Sequence, residues 1–168
     1  MLFRSVKLLL QSRANKDIKA PQGFTPLLLA AGNGHVEVVR LLLNNKANHN
    51  IKANDGTAPL HLAAENGHFE VVRLLLQSRA NKDIKDPQGF TPLLLATGNG
   101  HFEVVRLLLN NKANPNIQDK YGTSPLLLAT RNGHVESVRH LLENAAVPNI
   151  QDQFGKTPLH TAARNGHS

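Results

Sequence analysis

Apolar residues fall into two alternating kinds of short run along this chain. The first follows a hydroxyl residue and a proline: Thr25-Pro26 precedes Leu27, Leu29, Ala30 and Ala31, with Gly34 just beyond. A threonine at the N-cap, a proline in the first turn and a glycine suited to a left-handed stop together predict a short helix. The alanine pairs Ala63-Ala64 and Ala162-Ala163 match Ala30-Ala31 and allow close approach of neighbours. The second kind runs from Val36 to Asn44, where only Glu37, Arg40 and Asn44 are polar. Those positions form one narrow solvent stripe on a helix that is otherwise apolar all round. Such a helix has to be covered on several sides. Along the stripe, Glu37–Arg40, Glu70–Arg73, Glu103–Arg106 and Glu136–Arg139 are spaced as i,i+3 ion pairs.

The alternation has a fixed period. Gly23, Gly56, Gly89, Gly122 and Gly155 recur every 33 residues. Asn-Gly-His recurs in the same phase, at Asn33-Gly34-His35, Asn66-Gly67-His68, Asn99-Gly100-His101, Asn132-Gly133-His134 and Asn165-Gly166-His167. Thr25-Pro26-Leu27, Thr91-Pro92-Leu93 and Thr157-Pro158-Leu159 lie between, with Ala58-Pro59-Leu60 and Ser124-Pro125-Leu126 as variants. A unit this small cannot bury its own apolar sides and gains stability by stacking on the next.

With this period and these Thr-Pro-Leu-His and Gly-His elements, the chain resembles the ankyrin repeat family over essentially its whole length. The resemblance implies an all-α solenoid of helix–loop–helix units, with segments such as residues 48–56 projecting as β-hairpin loops. It divides the single array 1–168 into a half repeat 1–19, full repeats 20–52, 53–85, 86–118 and 119–151, and a half repeat 152–168. The family usually ends its second helix at glycine, whereas this chain places Arg13, Lys46, Arg79, Lys112 or Ala145 there. A left-handed backbone at those residues costs on the order of 1 kcal/mol each. That argues against an idealised consensus design. Residues 8–52 and 74–118 are nearly identical, as a copied two-repeat block would be. The expected half repeats leave Leu2, Phe3 and Val6 at one end, and Leu159 and Ala162 at the other, without a polar cap. A fragment of a longer array explains this, and so does head-to-tail self-association.

Of the 168 residues 40% are hydrophobic, and the apolar runs fall far short of the ~20 residues that span a bilayer. Arg4 and Lys7 interrupt the apolar start, and no small-residue cleavage site follows, so it does not read as a signal peptide. Without cysteine there is neither disulfide nor thiolate metal site. The net charge of +7 raises nucleic acid as a rival partner, but the nineteen Lys and Arg form no consecutive run.

Catalysis finds no support. The Gly-His histidines lie one repeat, about 10 Å, apart and cannot share an ion. The resemblance gives His61 and His160 a local hydrogen bond, and Leu28, Leu94 and Leu127 replace them elsewhere. His35-x-Glu37 resembles half of a zinc-deaminase signature whose cysteines are missing. No P-loop, nucleophile elbow or complete dinucleotide loop occurs. No cofactor is expected.

The resemblance implies a protein-binding module whose concave face joins hairpin tips to the exposed side of the first helices. Carried onto this chain, its contact positions include Gln22, Phe24, Asp55, Thr57, Glu65, Gln88, Phe90, Lys120, Tyr121, Thr123, Arg131, Phe154, Lys156 and Arg164. Four of the seven aromatics are among them, either as partner anchors or packed sideways on the adjacent hairpin. The early repeats offer Asp55, Glu65 and Asp86, and the last two offer Lys120, Arg131, Lys156 and Arg164. The partner expected is therefore a protein with an acidic patch facing repeats four and five. The expected setting is the cytoplasm or nucleus, or a host cytosol for an effector. A targeting segment of a larger enzyme is a further reading.

Overall fold

A proline held in place by the hydroxyl before it starts most of the first helices. The computed structural model describes residues 2–166, with side chains from Arg4 onward. Met1, His167, Ser168 and the side chains of Leu2 and Phe3 lie outside the described residues. Ten helices occur among the described residues and no strand. The chain divides into two compact units, Met1–Asn81 and Lys82–Ser168.

In the unit Met1–Asn81 the helices are α1 (Leu2–Gln11), α2 (Pro26–Gly32), α3 (Val36–Asn44), α4 (Pro59–Glu65) and α5 (Phe69–Gln77). In Lys82–Ser168 they are α6 (Pro92–Gly98), α7 (Phe102–Asn110), α8 (Pro125–Arg131), α9 (Val135–Glu143) and α10 (Pro158–Asn165). The short first helices pack on one another, α2 on α4 in the first unit and α6 on α8 on α10 in the second. The second helices do likewise, α1 on α3 on α5 and α7 on α9. Thr25, Thr91 and Ser124 cap their helices by accepting from the backbone N–H three residues on, at 3.2–3.3 Å. Ala58 has no hydroxyl to offer. There His61 turns back instead, its Nδ1 accepting from the Ala58 N–H at 3.0 Å. His160 makes the expected local bond too, 2.8 Å from Thr157 Oγ1.

Leu28, Leu42, Leu60 and Leu75 are buried in the first unit, and Leu94, Leu108, Leu127 and Leu141 in the second. Toward the ends, Leu9 and Leu159 are exposed, while Val6 and Ala162 are half-buried. Polar ladders accompany this packing. Asp17 Oδ1 accepts from the Asn48 N–H, Asp83 from that of Asn114 and Asn116 from that of Val147, each at 2.8 Å. His68 lies 3.0 Å from the Gly32 carbonyl and His134 3.0 Å from that of Thr97. Since a carbonyl only accepts, the facing ring nitrogen carries the proton in each case. These two Gly-His imidazoles are thus fastened to backbone of the preceding repeat.

Arg13, Lys46, Arg79, Lys112 and Ala145 all adopt positive φ, from 60° to 65°. The left-handed turn is kept without glycine. The expected ion pairs form at Glu37–Arg40, Glu70–Arg73 and Glu103–Arg106, the first at 3.7 Å and the last at 2.6 Å. Arg73, and to a lesser degree Arg40, hold Glu70 below its usual carboxylate range. No ion pair joins Glu136 to Arg139 among the described residues; Glu143 pairs with His140 at 3.3 Å instead.

The projecting loops depart from the β-hairpin expectation. Each is a turn closed by backbone bonds rather than a strand pair, as in Asp152 N–H to Lys156 O at 3.0 Å and Gly155 N–H to Asp152 O at 2.9 Å.

Candidate functional site

Aspartate shapes the three loops of the second unit. Asp86 Oδ1 accepts from the N–H groups of Gln88 and Phe90, Asp119 from Tyr121 and Thr123, and Asp152 from Phe154 and Lys156, all at 2.8–2.9 Å. The bonds from Lys156 and then Phe154 hold the Asp152 carboxyl below its ordinary range, helped by the charges of Lys156 and Arg131. Ala20 and Ala53 stand at this position in the first unit. There Asp55 accepts from the Thr57 N–H at 2.9 Å, and that bond lowers its carboxyl likewise.

Successive loops are tied together within each unit. The Asn54 N–H donates to the Gln22 carbonyl at 3.0 Å, the Lys120 N–H to Gln88 at 2.9 Å and the Gln153 N–H to Tyr121 at 3.1 Å. Gly122, at φ +76°, makes the last bond possible. A Cβ there would stand 2.7 Å from the Gln153 nitrogen. Rigid backbone therefore presents the tip side chains at fixed spacing.

The candidate positions fare differently. In the first unit Gln22, Asp55 and Glu65 are exposed, while Phe24 and Thr57 are half-buried. In the second, Gln88, Lys120, Arg131, Lys156 and Arg164 are exposed and Phe90 is half-buried. Tyr121 is 49% exposed and Phe154 is 74% exposed, so the partner-anchor reading suits these two aromatics better than Phe24 and Phe90. Lys120 Nζ lies 4.9 Å from the Tyr121 ring centroid, and Lys156 Nζ 5.8 Å from that of Phe154. Thr123 is a correction. At 7% exposure it forms loop floor, its N–H and carbonyl both bonded to Asp119, and it offers a partner little surface.

Five candidate residues meet in one recess of about 390 Å³, where Phe90, Tyr121, Thr123, Arg131 and Phe154 are joined by Leu128. A second recess, about 530 Å³, gathers Arg131, Phe154, Lys156 and Arg164 with His160 and Thr161. Both include Asp152. Lys120 and Gln88 line neither. Sequence reasoning missed Leu128, His160, Thr161 and Asp152. Helical spacing carried the signal for three of them, since Leu128 lies three residues before Arg131, and Thr161 and His160 three and four before Arg164. Asp86 also changes meaning. Its carboxylate is half-buried and shapes a loop, as do those of Asp119 and Asp152 among the cations, so the charge contrast rests on the exposed Asp55 and Glu65 against four exposed bases.

The family model of ankyrin repeats, in three copies, matches residues 2–86 and 79–152. The chain belongs to the ankyrin repeat family, an all-α repeat architecture whose members are generally protein–protein interaction modules and typically non-catalytic. No curated protein matches it. No helix among the described residues is long and apolar enough to cross a membrane.

Proposed function

We propose that this chain is a non-catalytic binding module that holds an acidic protein partner against the loop tips and first-helix ends of its second unit. The carrying observation is the exposed Phe154 ring beside Lys156, with Arg131 and Arg164 in the same recess. A ring left in water forgoes ~1.5–3 kcal/mol of burial, which a partner recovers by covering it. The neighbouring cations select acidic surface and raise the rate of encounter. The proposed setting is intracellular, a host cytosol included.

Charge reversal tests this. A protein carrying Arg131→Glu and Arg164→Glu is expected to lose the partner that the unaltered chain captures from cell extract, mainly through slower association. Capture with unchanged rate and unchanged salt dependence overturns the proposal.

A further inference from the structure

The two recesses of the second unit are not separate surfaces, because Phe154, Arg131 and Asp152 line both. On one side of the Phe154 ring the lining is apolar and aromatic, with Tyr121, Phe90 and Leu128. On the other it is cationic, with Lys156 and Arg164 exposed and His160 beside them. Two carboxylates are present, Asp119 in the aromatic recess and Asp152 in both, and each accepts two backbone N–H bonds of its own loop through Oδ1, which leaves Lys156 and Arg164 to face an incoming anion.

Resting on the reading of this unit as a protein-binding surface, we propose that the paired recesses take a peptide segment carrying a large apolar residue and an acidic residue three positions apart. The apolar side chain enters between Tyr121 and Phe154, and the carboxylate lies between Lys156 and Arg164. The spacing follows from the scaffold. The aromatic recess is lined mainly by residues of 119–151 and the cationic one mainly by residues of 152–168, and successive repeats stack ~8–10 Å apart, as packed helices do. An extended peptide rises ~3.3 Å per residue, so three residues cover that distance. Offset stacking on an exposed ring and charge-assisted bonds to Arg and Lys supply complementary contacts for the two side chains. The loop holding Phe154 is already fixed by Asp152 and by the Gln153–Tyr121 backbone bond, so little order has to be imposed on binding.

The test uses the full chain and fluorescein-labelled, end-capped octapeptides of serine and glycine bearing Phe and Glu three apart, in both orders. Controls replace Glu by Gln or Phe by Ser. Anisotropy titration is expected to show saturable binding of at least one Phe/Glu peptide, weakened at least tenfold in either control and by raised salt. Phe154→Ala, and Lys156→Glu with Arg164→Glu, change exposed side chains and are expected to abolish binding while far-ultraviolet circular dichroism stays the same. In the unaltered protein the Phe154 ring resonances should shift on titration, a readout independent of any variant. Equal binding of the Gln control, or no binding of either Phe/Glu peptide, overturns the inference. If the peptides fail while partner capture still requires Arg131 and Arg164, the inference falls and the protein-binding reading stands.

Discussion

At the scale of single residues, the instructive position is His140. Its in-phase counterparts Leu41, Leu74 and Leu107 are all leucine. The imidazole packs edge-on against Phe102, ring centroids 6.0 Å apart, and Nδ1 reaches Glu143. Nε2, however, is buried with no hydrogen-bond partner among the described residues. A buried polar atom left unsatisfied costs about 1–3 kcal/mol. His140→Leu is expected to stabilise the protein by about that amount, read as a higher midpoint in urea unfolding with the slope unchanged. A lower midpoint sinks the idea. Residue identity also explains what sequence reading could reach. The positive φ at Lys46, Arg79 and Lys112 follows from their register alone. The burial of Thr123 against the exposure of Phe154 does not, because the two are separated by which way each tip side chain leaves its loop.

Elements inherit these local choices. The first helices are only seven or eight residues long, well below the length at which an isolated helix holds in water. Their caps therefore weigh heavily. Thr91 is 1% exposed and its Oγ1 accepts from the Leu94 N–H at 3.2 Å. Thr91→Ala is expected to cost about 1–2 kcal/mol, measured by the same urea titration, and Thr91→Ser to restore most of the loss. The sequence-based reading of helices was sound because a proline after Thr, Ser or Ala, and then Asn-Gly-His, recur at the 33-residue period. It failed on the loops, where a hairpin of strands was expected and the Asp-anchored turn was not.

That anchor predicts a pH response. Asp152 has its carboxyl lowered by the backbone bonds of Lys156 and Phe154, so its contribution is present above the ordinary carboxyl range. It is lost as pH falls through the depressed value. The loop at 152–156 should loosen under acid, below about pH 4, and the protection of the Phe154 and Lys156 amides, relative to their intrinsic exchange rates, should then fall. Asp152→Asn keeps an acceptor and should remove most of the pH dependence. An acid response that persists in that variant assigns it elsewhere.

For the whole molecule the question is what a net charge of +7 does. A nucleic-acid binder releases counterions, and its affinity falls steeply with salt. Lys120, Arg131, Lys156 and Arg164 are instead interleaved with Asp119 and Asp152 and with exposed aromatics. The chain is expected to bind a non-specific duplex with a shallow salt slope and negligible affinity at physiological ionic strength. A slope matching many phosphate contacts would return nucleic acid to first place. Family and architecture were legible from the 33-residue period. The candidate surface was legible as positions, but its division into an aromatic recess and a cationic one is a product of folding.

One consequence reaches beyond this copy of the chain. Each aspartate or asparagine rung, such as Asp17 to Asn48 or Asp83 to Asn114, joins residues 31 apart, and the loop-to-loop bonds join residues 32 apart. Removing or inserting 66 residues in register leaves each of these donors facing an equivalent acceptor, whereas a shift of 33 can bring Pro87, which has no N–H, to the place of Asn54 or Lys120. With residues 8–52 and 74–118 nearly the same, misaligned recombination can lengthen or shorten the gene by whole modules and still yield a satisfied backbone. Copy number is then free to drift under selection, carrying the reach of the binding surface with it.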